Sequence, residues 1–276
     1  MFFIHIFSFE TPAHFLQISY YILSVKMKSP LTYIYFLIAP ALAQFSVPTA
    51  LRNLQIAAST YCDKTEISGL TVIKEIRAAT TVIIADDAIQ DARVISFRGS
   101  SDVENWISNV EVRFTEPYAD KSIKVHNGLY NEYLEYKAEI MEYLAPNMAI
   151  SGHSSGGALT MFFAYDIHKS QQNINVTAYT FGKPRIGNDR FAEAATDINH
   201  YRITHHDDIV PHVPEEVLGY RHTGAEIWFY DDTDNYKVCA EGVEDPECSN
   251  SCAPTKCTSV DDHKYYMETN IGGDYC

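Results

Sequence analysis

Basic residues are scarce. The 276-residue chain carries 21 Lys+Arg against 36 Asp+Glu, a formal net charge of −15. A chain this acidic is a poor candidate for tracking a phosphate backbone, which argues against nucleic acid as a partner, and charge alone will not hold it to an anionic membrane. Docking on lipid through an apolar surface stays open. Membrane-length hydrophobic runs are also lacking: the apolar stretch Leu31 to Leu42 is too short to span a bilayer. No internal repeat or low-complexity block occurs. Hydrophobic residues at 46% and charged residues at 21% sit near globular averages, which excludes wholesale disorder.

The apolar stretch has flanks of its own. Met27 and Lys28 precede it, and Ala41-Leu42-Ala43 follows it before Gln44. A basic n-region, a short h-region and an A-x-A site together read as a secretory signal peptide over 27–43. The competing reading is a retained signal anchor, to which a second apolar patch, Phe15 to Val25, lends some weight. Residues 1–26 lie upstream of a better-placed methionine, so they are a mis-called start or an unusually long n-region. The mature part, 44–276, is expected to be one catalytic domain, secreted and extracellular. It is long enough to bury a core without metal or disulfide help.

All six cysteines fall in that mature part: Cys62, Cys239, Cys248, Cys252, Cys257 and Cys276. An even count fits an oxidising compartment, but spacing alone does not give the pairing. The late spacing C-x8-C-x3-C-x4-C, with His263 close by, matches no familiar zinc pattern. The one sequon, Asn175-Val176-Thr177, lies in an apparent strand, which argues against a glycan there.

Strand-like and helical runs alternate along the chain. Val82 to Ala85, Arg93 to Phe97, Met148 to Ile150, Val176 to Phe181, Tyr201 to Thr204 and Glu226 to Tyr230 read as strands. Leu129 to Leu144 carries apolar residues at helical spacing, Asp189 to Ala195 is a short helix, and Ala158 to His168 is apolar nearly all round, as a buried helix is. Such alternation predicts an α/β fold with a mainly parallel sheet covered on both faces. Lys237 to Thr258, rich in Cys, Asp and Glu, reads as a disulfide-pinned surface insertion or simply a long loop.

The strongest local signal is Met148 to Gly157, which holds Gly-x-Ser-x-Gly as Gly152, Ser154 and Gly156. Between a strand and a helix this is a nucleophile elbow: the turn is so sharp that side chains two before and two after the serine would strike backbone. A serine hydroxyl is a weak nucleophile and needs a base held by an acid. On such sheets the chain order is serine, acid, histidine. Asp207 and Asp208 follow a strand end, where ligands of open α/β sheets bind. His263 lies late in the chain, with His212 and His222 as rivals. The bland reading of His126, His153, His205, His206, His212 and His222 is packing or hydrogen bonding near the site.

Five ordered blocks together resemble the fungal-type (class 3) lipase family of the α/β-hydrolase fold, from about Thr60 to the C-terminus. They are Phe97 to Ser100; Glu104 to Ile107; Gly152 to Ser154; Tyr179 to Asn188; and Tyr201 to Thr204 with Asp208 to Pro211. The resemblance implies Ser154 as nucleophile, Asp208 rather than Asp207 as acid, and His263 as base. It implies an oxyanion hole from Ser100 and the Ser155 N–H, and a bridge between Cys62 and Cys276. The other four cysteines would then pair among themselves. Family elbows usually carry Leu, Met or Ala where this chain has Ser155, which puts pocket polarity in question.

The expected chemistry is acyl transfer through an acyl-enzyme, with neither metal nor cofactor. Val103, Trp106, Ile107 and Val110 fall at i, i+3, i+4 and i+7, one apolar face on a short helix. In the family this position is a lid, which implies acylglycerol substrates, transient contact with a lipid interface, and a monomer. A fixed core helix would instead imply a soluble-ester (feruloyl-type) esterase; phospholipase A1 chemistry occurs on the same fold. Further alternatives are a silent lipid-binding protein, which the intact Ser154, Asp208 and His263 argue against, and an interaction module resting on Lys237 to Thr258.

Overall fold

The computed structural model describes residues 21–26, 33–38 and 45–276, except 172, 232–234, 241–243 and 254. Two units are distinguished, Met1–Ser46 and Val47–Cys276. In the first, β1 (Tyr21–Lys26) and β2 (Tyr33–Ile38) form an antiparallel ribbon. Residues 27–32 and 39–43 of the expected signal peptide, and 1–20 of the segment before it, lie outside the described residues. No helix among the described residues is long and apolar enough to cross a membrane.

The second unit opens with α1 (Val47–Ser59), β3 (Leu70–Arg77), β4 (Thr81–Asp87), β5 (Ala92–Phe97), α2 (Val103–Ser108), β6 (Phe114–Thr115), β7 (Val125–His126) and α3 (Asn127–Ile140). There follow β8 (Asn147–His153), α4 (Ser155–Ser170), β9 (Asn175–Phe181), α5 (Asp189–Ala194), β10 (Asn199–His205), β11 (Ala225–Phe229), β12 (Tyr236–Val238), β13 (Tyr265–Tyr266) and β14 (Thr269–Asn270). The main sheet has eight strands in the order β12-β11-β10-β9-β8-β5-β4-β3. Its centre, β5 through β11, is parallel, while β3, β4 and β12 pair antiparallel at the two edges.

Period-2 alternation sorts the strands' side chains between two apolar layers. Ile95, Phe97 and Ile150 join the large core with α3 and α4. Val94 and Ala149 turn the other way and meet Ile56 of α1. Every residue of α4 from Ser155 to Ile167 is buried, as its near-continuous apolar text requires. At the start of α3 the His126 ring accepts the Leu129 N–H at 3.2 Å, a helix cap rather than a catalytic contact. The sequon begins β9 itself, with Asn175 exposed.

The late acidic segment carries two disulfides, Cys239–Cys248 and Cys252–Cys257, and most of its described residues are exposed or half-buried, as a disulfide-pinned surface insertion would be, with a few groups turned inward. Cys239, Cys248, Ser249, Cys252 and Cys257 are buried. Glu244 pairs with the buried guanidinium of Arg185 and accepts the His222 N–H at 3.1 Å. The two disulfides and the Glu244 ion pair hold it in place with few apolar residues.

Three disulfides tie the unit: Cys62–Cys276, Cys239–Cys248 and Cys252–Cys257. The first spans a sequence separation of 214 and the last only 5. If cross-links act mainly by restricting the unfolded chain, removing the long one costs about 5 kcal/mol and the short one about 2. Urea unfolding of Cys62→Ala/Cys276→Ala beside Cys252→Ala/Cys257→Ala is expected to show that gap. Equal losses would mean native-state contacts dominate.

Candidate active site

Ser154 stands between β8 and α4 with φ 60° and ψ −133°. That backbone region is costly for a residue with a side chain, roughly 1–3 kcal/mol, and close packing holds it there. A Cβ on Gly152 would lie 2.4 Å from the Gly156 carbonyl oxygen, and one on Gly156 would lie 2.2 Å from the Phe97 carbonyl oxygen. The Ser154 N–H donates to Phe181 O at 2.9 Å. The serine is thereby fixed at the C-terminal edge of the parallel strands, at the start of a long helix.

β10 delivers the next group to the same edge. Asp208, buried just past the strand, accepts from His263 Nδ1 at 2.9 and 3.0 Å. It also accepts the Val210 N–H at 2.8 Å and the Tyr266 hydroxyl. Burial pushes its pKa up, but the imidazole charge and these hydrogen bonds outweigh burial and hold it below 3.8. A charged Asp208 requires a proton on His263 Nδ1, so in the neutral imidazole Nε2 is the acceptor. His263 sits in a 3₁₀ turn, Asp262–Lys264, and Gly182 makes room for it. Gly182 has φ +58°, and a Cβ there would come within 2.8 Å of the ring.

His263 Nε2 and Ser154 Oγ are both buried and both lack a hydrogen-bond partner. Buried polar atoms are rarely left so. They are the pair that a base–nucleophile hydrogen bond would satisfy, and such bonds are often long or open before substrate arrives.

Around them, histidines read from the sequence as packing or hydrogen-bonding groups meet Tyr61, which carried no role there. The Tyr61 hydroxyl donates to His153 Nδ1 at 2.8 Å and accepts the Gly99 N–H at 3.1 Å. His153 Nε2 then donates to the His263 carbonyl at 2.8 Å, and the two imidazoles lie 4.4 Å apart. Burial, then the neighbouring His263, push the His153 pKa down to about 3, so it stays neutral beside His263. Asp262 binds the acid turn to the histidine turn. Its carboxylate meets His206 Nδ1 at 2.9 Å and the Asp207 N–H at 3.1 Å, and its carbonyl accepts from His205. His212 and His222 lie instead around Arg185 and Lys183, with His222 Nε2 donating to Pro211 O. No local pattern marks Tyr61 or Tyr266; only the fold brings them in.

Ser100 follows β5. Its N–H donates to Ser155 Oγ at 3.0 Å. Its hydroxyl donates to Asp102 O at 3.1 Å and accepts the Asp102 N–H at 3.2 Å. Asp102 caps α2 through the Asn105 N–H. On α2 Val103 is buried, Trp106 packs against the main core, and Ile107 is half-buried, as is Val110 just beyond. The two groups of metal-capable side chains among the described residues are His212 with Cys252 and Cys257, and Glu226 with Cys239 and Cys248. Their cysteines are spent in disulfides, and His263 belongs to neither.

Residues 94–218 match the family model described as lipase (class 3). The chain is 33% identical to a lipase of Rhizomucor miehei over 229 residues, 77% of this chain and 62% of that protein. It is 33% identical to a lipase of Rhizopus niveus over 189 residues, 64% of this chain and 48% of that protein. The chain thus spans about half to three-fifths of these curated relatives. A solved triacylglycerol lipase, described as having a serine protease triad at its catalytic centre, superposes with a TM-score of 0.74 at 30% identity. That match covers 82% of this chain and 96% of that one.

Proposed function

This chain belongs to the class 3 lipase family, and from that premise we propose that it is a secreted serine ester hydrolase cleaving acylglycerols at a lipid–water interface. It has the α/β-hydrolase fold of its solved relatives. The observation that carries the reading is the pairing of an unpartnered Ser154 Oγ with an unpartnered His263 Nε2, the latter backed by charged Asp208. In the proposed reaction Nε2 takes the Ser154 proton as Oγ attacks the ester carbonyl. Asp208 holds the tautomer and stabilises the imidazolium that forms. The oxyanion is met by Ser100 and the Ser155 N–H. The alcohol leaves with the proton from His263, and water then releases the acid from Ser154.

Nucleophile and base are both fully buried, which supports a cover that has to move. The segment over 103–110, with Trp106 on its inner face, is the proposed lid. Its opening would trade core packing for lipid contact. Packing of Trp106 against the core also favours a second reading, a helix that stays in place on a soluble-ester esterase.

Hydrolysis of a triacylglycerol series and a short-chain soluble ester, followed across the solubility limit, separates the two. The lipase reading expects a rate jump of about tenfold or more when emulsion forms, as a closed lid population is converted to an open one. Smooth saturation on the soluble ester with no turnover of emulsion would leave the esterase. No turnover of either would favour a lipid-binding protein.

A further inference from the structure

The Ser100 N–H is already spent. It donates to the Ser155 hydroxyl oxygen at 3.0 Å, and Ser155 is buried at the first position of α4. A donor serving an oxyanion acts at about 2.7–3.1 Å, and the Ser155 oxygen stands at that range from this donor. Resting on the serine hydrolase reading above, we propose that the Ser155 hydroxyl is a built-in occupant of the oxyanion hole. It has to leave the Ser100 N–H before a tetrahedral intermediate can form there.

The helix start cannot shift to free the donor. Gly156 lies hard against the Phe97 carbonyl, and the Ser154 N–H is bonded to Phe181. Two movements are left. One is rotation of the Ser155 side chain about χ1. The other is displacement of Ser100, whose hydroxyl is bonded to Asp102, the cap of α2. Rotation breaks one neutral hydrogen bond, a small cost; displacing Ser100 also disturbs the two bonds between its hydroxyl and Asp102. The contact has a resting role of its own. With the hole empty, the Ser100 N–H would otherwise be an orphan in a half-buried place, and a hydroxyl oxygen satisfies it. An apolar side chain at 155 has no oxygen with which to do so.

The test uses Ser155→Ala and Ser155→Thr in the full chain. One readout is turnover of a short-chain p-nitrophenyl ester below its solubility limit. The other is inactivation by diethyl p-nitrophenyl phosphate, in which Ser154 Oγ bonds to phosphorus, p-nitrophenolate leaves, His263 takes the serine proton, and the phosphoryl oxygen enters the hole. With Ala the donor is free, and both rates are expected to rise about three- to tenfold, the worth of one neutral hydrogen bond. Thr keeps the oxygen on a side chain stiffer at χ1, so both rates are expected to fall. Ala variants equal to or slower than the parent, or a faster Thr variant, would overturn the proposal. A fall of about 10²–10³ with Ala would make the hydroxyl an oxyanion donor instead. Ser154→Ala run alongside keeps the two readings apart: if it still turns over ester, the serine hydrolase reading fails. If it is silent while Ser155→Ala is no faster, only the occupied hole fails.

Discussion

Ser154→Ala is expected to lower kcat for ester hydrolysis by roughly 10⁶ while leaving the protein as stable as before or slightly more so. The rate loss follows from removing the only atom that bonds to the acyl group. The stability half follows from the structure. Ser154 Oγ is buried and has no partner, and an unsatisfied buried hydroxyl costs about 1–3 kcal/mol. Alanine removes that cost and keeps the Cβ, so the surrounding packing has nothing to lose. It also leaves the strained backbone unchanged, because alanine at φ 60° is no worse than serine there. A residue that harms stability and carries the chemistry is what a site selected for function leaves behind. Titrimetric rates with calorimetry on the same preparation check both halves. A variant within tenfold of the parent rate would remove Ser154 from the mechanism, and a large loss of stability would mean its hydroxyl has a partner.

The elbow was legible because its constraint is local. Backbone at Gly152, Ser154 and Gly156 collides unless both flanking residues are glycine, so the motif is a steric record of the turn. The buried α4 and the parallel strands were legible for a similar reason, since complete burial leaves a continuous apolar text. The helix α1 was not. Its buried face is built from Ala50, Ala57 and Ala58 with only Leu54 and Ile56 among them, too faint a stripe for helical periodicity. The edge strand β3 was missed too. Its residues are half-buried or exposed, and a register shift between Val72 and Lys74 interrupts alternation. Around Ser154, Asp208 and His263, the neighbouring histidines were readable as hydrogen-bonding groups, whereas Tyr61 and Tyr266 were not. Tyr61 is 92 residues from the His153 it contacts, and Tyr266 is 58 from Asp208. Long-range contacts leave no spacing rule behind. Ser155 was read for its N–H alone, yet its hydroxyl accepts the Ser100 N–H.

Acid is expected to unfold this protein far sooner than its carboxylates alone would require, through histidines that the fold keeps neutral. Burial lowers the pKa of five of them, His126 among them, and the other four are lowered furthest. His153 falls to about 3 and His212 to about 4, the latter with Arg185 beside it. His200 falls well below 6.5 with Lys183 and Arg202 close by, and His222 with Arg202, Lys183 and Arg185. In the unfolded chain each titrates near 6.5. As pH falls through that value the unfolded chain takes up protons that the native state refuses, so stability falls with falling pH. Their contribution is complete above about pH 6.5 and is lost progressively toward pH 3–4. Each such group adds a slope of about 1.4 kcal/mol per pH unit, so the four lowered furthest add between about 5 and 6. Lys183, also depressed by burial, acts with the same sign. The lowered carboxylates of Asp208 and Glu244 add their loss only at lower pH, near their unfolded values. Urea unfolding at pH 7.5 and 5.5 is therefore expected to differ by several kcal/mol. His153→Gln, whose amide can both donate and accept, should remove one histidine's share of the slope. A flat profile between those two values would mean that these imidazoles are charged or solvated in the native state, and with that the neutral His153 beside the His263 base would be lost.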